Sequence, residues 1–314
     1  MAKAVREHLL KVLASGEFIS GQEVGDQLGI SRTAISSHIK SLTNMGLDIY
    51  SVTGKGYKLA QPLSLLSKCE ILSFIAQEEM TVERLIPTVE VHSLIDSTND
   101  YLMRRLPNQL TQGQVCLAEY QSAGRGRRGR QWISPFGSQI YLSMYWYLEQ
   151  GLSAAMGLSL VSALAVSDAI LAVSGVQVQL KWPNDIYIDG VKLAGILIDL
   201  EGQALEPSHS VIGIGLNLNM PAQAADKIDQ RWTDLHSHSK SNIDRNELSA
   251  KLITCLYSRL EQYQSKGLTG MLDEWHAHDI YINKRVKLLA REQRKVFVEV
   301  LIIKGLYCLK LMVL

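Results

Sequence analysis

Seven consecutive residues, Gly124-Arg125-Gly126-Arg127-Arg128-Gly129-Arg130, place four guanidinium groups among three residues that lack a Cβ. Such a backbone can approach a ligand closely while several cations converge on one anion, which is what a phosphate or acyl-phosphate clamp requires. One cation about 4 Å from a phosphate oxygen gains roughly 4 kcal/mol at an effective dielectric near 20. Ordering the loop costs roughly 1 to 2 kcal/mol per residue, a comparable sum, so it is expected to be mobile when empty and ordered around an anionic ligand. Standing alone, an Arg-rich run also suits a solvated basic patch or a nonspecific nucleic-acid contact. The residues around it have to decide.

Four further groupings carry chemistry. Asp96-Ser97-Thr98-Asn99 offers donors and acceptors in a row, enough for a neutral polar head group such as a urea, although four such residues also make a helix N-cap. Lys181-Trp182-Pro183-Asn184-Asp185 sets a cation, an amide and a carboxylate at a strand end, where Pro183 breaks the ladder and frees the next groups to face a ligand or Mg²⁺. Lys192, followed by Leu193-Ala194-Gly195, either points one charge inward, needing an anionic partner, or is an exposed edge lysine. Gly213-Ile214-Gly215 before Asn217 allows another close backbone approach.

The elements that must hold these groups follow from pattern. The chain has 314 residues, 46% of them apolar, enough for two or three domains with a proper core. A net charge of +1 confines nucleic-acid binding to a local patch. Cys69, Cys116, Cys255 and Cys308 show neither zinc nor disulfide spacing, and Arg6, Glu7, His8 and Lys11 interrupt any leader-like run, so a cytoplasmic protein with reduced thiols is expected. Leu152 to Val173 is apolar but carries Asp168 and many small residues, which predicts a buried core helix and no membrane span.

Residues 1 to 62 predict a winged helix-turn-helix. Val5, Leu9, Leu10 and Leu13 recur at helical spacing, Ser20 and Glu23 form a capping box, and Gly29 makes the turn. Ser31 caps a third helix with Ile35, Ile39 and Leu42 inward and Arg32, Thr33, Ser36, Ser37 and Lys40 outward, a polar, basic face suited to a major groove. Leu47 to Val52 and Tyr57 to Leu59 flank a hairpin tip carrying Lys55. A connecting helix is expected from Leu63 to Ala76 within residues 63–82. Residues 83–277 alternate strands (Gly113 to Gln121, Gln139 to Tyr147, Val178 to Trp182, Asp185 to Ile188, Val191 to Leu200, His209 to Asn217) with helices (Leu152 to Val173, Asn246 to Tyr263), giving an α+β class with a mixed sheet.

Taken in order behind a winged helix, Asp96 to Asn99, Gly124 to Arg130 with Trp132, Lys181 to Asp185, Lys192 to Gly195 and Gly213 to Asn217 resemble the bifunctional bacterial biotin-protein ligases that also repress the biotin operon. The resemblance covers roughly residues 1 to 295. It implies a class II synthetase-like catalytic domain and a two-step reaction: biotin and ATP with Mg²⁺ give biotinyl-5′-adenylate, and the biotinyl group then passes to a lysine of the biotin carboxyl carrier protein. It also implies operator DNA binding by a homodimer that the adenylate promotes.

The implied roles are specific. Ser97, Thr98, Asn99 and Gln121 would contact biotin, with Gly124, Arg125, Gly126 and Gly195 closing around it. Arg127 and Lys192 would neutralise the two anions that must meet, and Asp185 would orient or deprotonate the acceptor lysine. Arg130, Trp132, Asn184, Asn217 and Trp232 would serve the nucleotide. No metal ligand set fixed by the protein alone is expected; the ion would come with the ATP. The family closes with a small SH3-like β-barrel over residues 278–314. Asn283 to Leu289 matches its opening, but from about Phe297 the apolar run ending in Leu314 departs from it, so an incomplete barrel is expected. Two rival readings are a biotin-sensing repressor with impaired ligase activity and a lipoate or octanoate transferase.

Overall fold

The computed structural model describes residues 2–61, 63–78, 87–203, 206–221, 228–282, 284–289 and 297–301. Helix α1 (Ala2–Leu13) buries Val5, Leu9, Leu10 and Leu13. Ser20 accepts from the Glu23 amide to start α2 (Gly21–Leu28), and Gly29 ends it in the left-handed region. Ser31 caps α3 (Arg32–Asn44) through the Ala34 amide, and Ile35, Ile39 and Leu42 enter the core as their spacing predicts. Strands β1 (Ile49–Val52) and β2 (Gly56–Leu59) pair antiparallel to form the wing.

The core of this winged helix also takes in Leu94 and Phe136 from later in the chain. The Phe136 amide donates to the Met45 carbonyl at 2.9 Å, and Pro135 packs against Gly46 at the end of α3. The DNA-binding unit therefore rests directly on the segment that follows the arginine loop.

The connecting helix is shorter than its sequence suggests. Helix α4 (Lys68–Gln77) begins only after the Ser67 cap. Residues 63–67 stay outside the helix while distant side chains claim their backbone: Glu119 accepts from the Leu66 amide, Asn246 from the Ser67 amide, and Arg245 donates to the Ser64 carbonyl at 2.8 Å. The Glu119–Arg245 ion pair (2.7 Å) is almost fully buried at this junction. Local helical periodicity lost here to tertiary hydrogen bonds. Pro62 and residues 79–82 lie outside the described residues.

The larger unit is built on a seven-stranded mixed sheet. Its strands are β3 (Val89–His92), β4 (Val115–Ala118), β5 (Gln139–Leu148), β6 (Gln179–Lys181), β7 (Asp185–Ile188), β8 (Val191–Glu201) and β9 (Ser208–Asn217). They stand in the order β3-β4-β5-β9-β8-β7-β6, with only β3 and β4 parallel. The short helix α5 (Thr98–Met103) follows β3. Helix α6 (Leu158–Ser174) and α7 (Arg245–Lys266) share one large hydrophobic core with the sheet. The expected helix from Leu152 starts as a 3-10 turn, Leu152–Gly157, where Gly157 packs against Tyr263. Helix α8 (Met271–His278) is tied back by Arg259, which pairs with both Asp168 and Glu274.

No described helix is long and apolar enough to cross a membrane. At the C-terminal end, β10 (Arg285–Leu289) and β11 (Phe297–Leu301) form an antiparallel pair. Asn283, and the rest of the expected barrel from residue 302 onward, lie outside the described residues.

Candidate active site

Three adjacent strands, β5, β9 and β8, form the floor of the site, and the loop between β4 and β5 forms its roof. Trp132 decides how these meet. Its indole lies across the sheet over Gly215 and Gly195, where an added Cβ would stand 2.5 Å and 3.1 Å from the ring. The indole N–H donates to Gln139 Oε1 at 2.7 Å, which fixes the ring's orientation. Side chains at the two glycines would lift the tryptophan off the floor; their absence is what lets the loop lie down.

Upstream of Trp132 the arginine loop folds into a small hairpin. The Trp132 amide donates to the Gly124 carbonyl (2.9 Å) and the Gly126 amide to the Arg130 carbonyl (2.7 Å), with Arg125 and Gln131 bridged between them. Arg128 holds φ at +57°, a left-handed conformation uncommon for a residue with a Cβ.

Beneath this roof is a cavity of about 300 Å³ whose lining includes Ser97, Thr98, Asn99, Gln121, Lys192 and Gly195. Its inner end is neutral and polar. Gln121 Oε1 accepts from the Thr98 amide (2.9 Å) and hydroxyl (3.2 Å), and its Nε2 donates to Ser134 (3.2 Å). Ser143, buried in β5, bridges Thr98 and Asn99. Ser97 serves two purposes: it caps α5 through the Asp100 amide and lines the cavity.

The mouth is cationic but internally paired. Lys192 lies 2.8 Å from Asp185, both side chains mostly buried, so the anion an inward lysine needs is supplied by the protein itself. A bulge between Ile186 and Tyr187 in the β7–β8 pairing sets this geometry. Arg127 donates to Asn184 Oδ1 at 2.7 Å, while Asn184 Nδ2 donates to the Ile196 carbonyl at 2.6 Å. Lys181 sits near the rings of Tyr187 and Tyr281. Burial pulls its pKa down, but hydrogen bonds to the two tyrosines outweigh it and keep the ammonium charged.

Past Trp132 and Lys192 a second cavity of about 460 Å³ opens, lined also by Arg130, Asn217 and Trp232. Asn217 Nδ2 holds the Thr233 carbonyl at 2.9 Å and the Thr233 amide bonds to the Lys192 carbonyl, so this wall is pinned to the sheet. Of the residues given roles in ligand binding or catalysis, all but Gly124 line one or both of these adjoining cavities.

Two contributors went unnoticed in the sequence. Ser143 is the one serine in β5, and Asp199 follows the apolar stretch Leu193 to Ile198 of β8; a small hydroxyl and an acid in those places were the available signal. Asp199 and Asp100 hold the Arg125 guanidinium. On the winged helix, Ser31, Arg32, Thr33, Ser36, Ser37, Lys40 and Lys55 are all exposed. The Ser31 hydroxyl is engaged as a cap, and Lys55 lies 5.8 Å from the Phe18 ring.

A winged helix here leads into a mixed sheet whose pocket lies under a cationic loop, and both parts match known families. Residues 91–217 match the model of the biotin/lipoate A/B protein ligase family, and residues 5–58 match a helix-turn-helix domain. The chain is 43% identical over 281 residues to the bifunctional ligase/repressor BirA of Escherichia coli, covering 90% of this chain and 84% of that protein. It is 32% identical over 290 residues to its Bacillus subtilis namesake, covering 91% and 88%. The biotin protein ligase of Aquifex aeolicus, solved with biotin and ATP, superposes with a TM-score of 0.55 at 26% identity, over 68% of this chain and 85% of that one. The chain belongs to the bifunctional ligase/repressor family.

Proposed function

We propose that the protein forms biotinyl-5′-AMP and pyrophosphate from biotin and ATP, transfers the biotinyl group to a lysine of the biotin carboxyl carrier protein, and represses biotin synthesis genes through its winged helix. One observation carries this reading: a neutral, hydrogen-bonding cavity end leads past Lys192 and Arg127 directly into a second cavity under Trp132 and Trp232. That order suits a ureido head group, then a carboxylate, then a nucleotide. A lipoyl or octanoyl chain would leave the Thr98–Gln121–Ser143 groups without a polar ligand.

In the first step a biotin carboxylate oxygen attacks the α-phosphorus of ATP, and the bond to pyrophosphate breaks. Both reactants are anionic. Lys192 and Arg127 lower the repulsion, and the folded loop keeps water from the mixed anhydride that forms. Arg130 is positioned for the polyphosphate, and Trp132, Asn184, Asn217 and Trp232 for the nucleotide. In the second step the acceptor amine attacks the biotinyl carbonyl carbon, loses a proton and expels AMP. Asp185 orients that amine, which is protonated in neutral water.

Magnesium belongs to the ATP in this reading. The described residues contain no cluster of three or more His, Cys, Asp or Glu side chains. Asn184 Oδ1 and Asp185 face Arg127 and Lys192, so the ion would be held chiefly by phosphate and water.

On the DNA side, the exposed face of α3 enters the major groove and Lys55 of the wing meets a phosphate. The adenylate stabilises the loop surface through which two copies associate, so its concentration sets operator occupancy. A cytoplasmic location follows from both activities.

The test is biotin-dependent pyrophosphate release from Mg-ATP, followed by label transfer to the carrier protein. A burst without carrier and turnover with it are expected. Tight biotin binding with no pyrophosphate release would make the protein a sensor only.

A further inference from the structure

Of the four loop arginines, Arg125 is surrounded by anions that the protein itself supplies. Its Nη2 lies 2.6 Å from Asp100 Oδ1 and 2.6 Å from Asp199 Oδ2. The Nε donates to Asp100 Oδ2 at 3.2 Å and Nη1 to Asp199 Oδ1 at 3.3 Å. Asp100 stands in the first turn of α5, and Asp199 belongs to β8. Asp199 is held in turn by Asn99 Nδ2 at 2.8 Å, and Asn99 Oδ1 accepts from the buried Ser143. Gly213 makes room for the Asn99 amide.

Two carboxylates around one guanidinium leave a local charge of about −1, so an anionic ligand gains little there. A forked cation that meets two carboxylates bidentately is suited to fixing a position, which lysine cannot do as well. The position in question is the neck of the hairpin, where Arg125 is bridged to Gln131 and the Gly124 carbonyl receives the Trp132 amide. Two residues on, Arg127 reaches the cavity mouth.

We propose that Arg125 is a positioning residue, a latch that pins the neck of the arginine loop to α5 and β8 and thereby retains biotin beneath it, leaving the anion chemistry to Arg127 and Lys192. This rests on the ligase reading for its kinetic part, but the latch itself is made only of the protein's own side chains. Opening the latch raises the KM for biotin and speeds its release, with little effect on kcat once the loop has closed over bound ligand.

Hydrogen exchange of the amides in residues 124–132, measured on the full chain without ligand, tests the latch. Partly exposed, charge-assisted pairs of this kind predict about tenfold faster exchange in Asp100→Asn/Asp199→Asn and an intermediate rate in Arg125→Lys. Raising salt to about 1 M accelerates exchange in the native chain and leaves the double variant unchanged. The KM for biotin rises about tenfold in the double variant while kcat stays within about twofold. If that variant does not fold, Asp100→Asn alone carries the test, with about threefold effects.

Unchanged loop exchange overturns the latch, and so does a loss of kcat at constant KM. If the native chain releases no pyrophosphate, the ligase reading fails, and exchange together with biotin dissociation rates still decides the latch.

Discussion

Replacing Lys192 by methionine keeps most of the stem and removes the charge. At 2.8 Å from Asp185 the pair has a gross attraction of about 6 kcal/mol at an effective dielectric near 20. Desolvation offsets much of this, because the two side chains are only 14% and 23% exposed. Leaving the Asp185 carboxylate without its cation should therefore cost about 1 to 2 kcal/mol of stability. Catalysis should suffer more. A cation about 4 Å from charge developing at the α-phosphate is worth roughly 4 kcal/mol, or on the order of a thousandfold in rate. The assay is the initial rate of biotin-dependent pyrophosphate release, with urea unfolding run in parallel. Adding Asp185→Asn to Lys192→Met restores stability by removing the orphaned charge, and does not restore the first step. A folded Lys192→Met chain within tenfold of the native rate would refute the placement of Lys192 at the reacting phosphate.

Gly215→Val should force Trp132 off the sheet, since the new Cβ alone would stand 2.5 Å from the indole; about 1 to 3 kcal/mol of destabilisation and loss of adenylate formation are expected, read by urea midpoint and pyrophosphate release. Glu90 accepts from Tyr101, Arg105 and Gln114. Burial pushes its carboxyl pKa up, but these three donors together hold it below the ordinary value of 4.5. Its stabilisation is therefore complete above the unfolded pKa and is lost as pH falls through the folded one, so Glu90→Gln should cost about 1 to 3 kcal/mol at pH 7 and progressively less below about pH 4.5 in urea titrations. Arg32→Ala and Lys40→Ala should each weaken operator binding and reduce the slope of log affinity against log salt by about one per copy, measured by anisotropy. A slope unchanged in both would move the phosphate contacts elsewhere.

Elements with strong local signals were legible in the chain. The Ser20 and Ser31 caps, the inward Ile35, Ile39 and Leu42 and the long strands β5, β8 and β9 all follow from short-range periodicity and capping chemistry. The arginine loop, the Ser97-Thr98 pair and Lys192 each had a plain alternative when read singly, and it was their order along the chain that set them apart; the structure brings them to one cavity. Where the reading failed, long-range bonds had overruled local preference, as at residues 63–67, whose helical pattern yields to Glu119, Arg245 and Asn246 from far along the chain.

The amino-acid sequence by itself determined which groups are available: four guanidinium groups on a glycine-rich loop, a lysine in a largely apolar strand, a row of hydroxyls and an amide at the start of α5. Only the tertiary structure decided what each of them faces. Arg125 and Arg127 are two residues apart, yet one is held by Asp100 and Asp199 and the other reaches Asn184 at the mouth of the cavity. That division depends on α5, β7 and β8 converging on one loop. Sequence spacing carries no record of which carboxylate lies within 3 Å of which cation, because at that distance the partners are set by strand order and register.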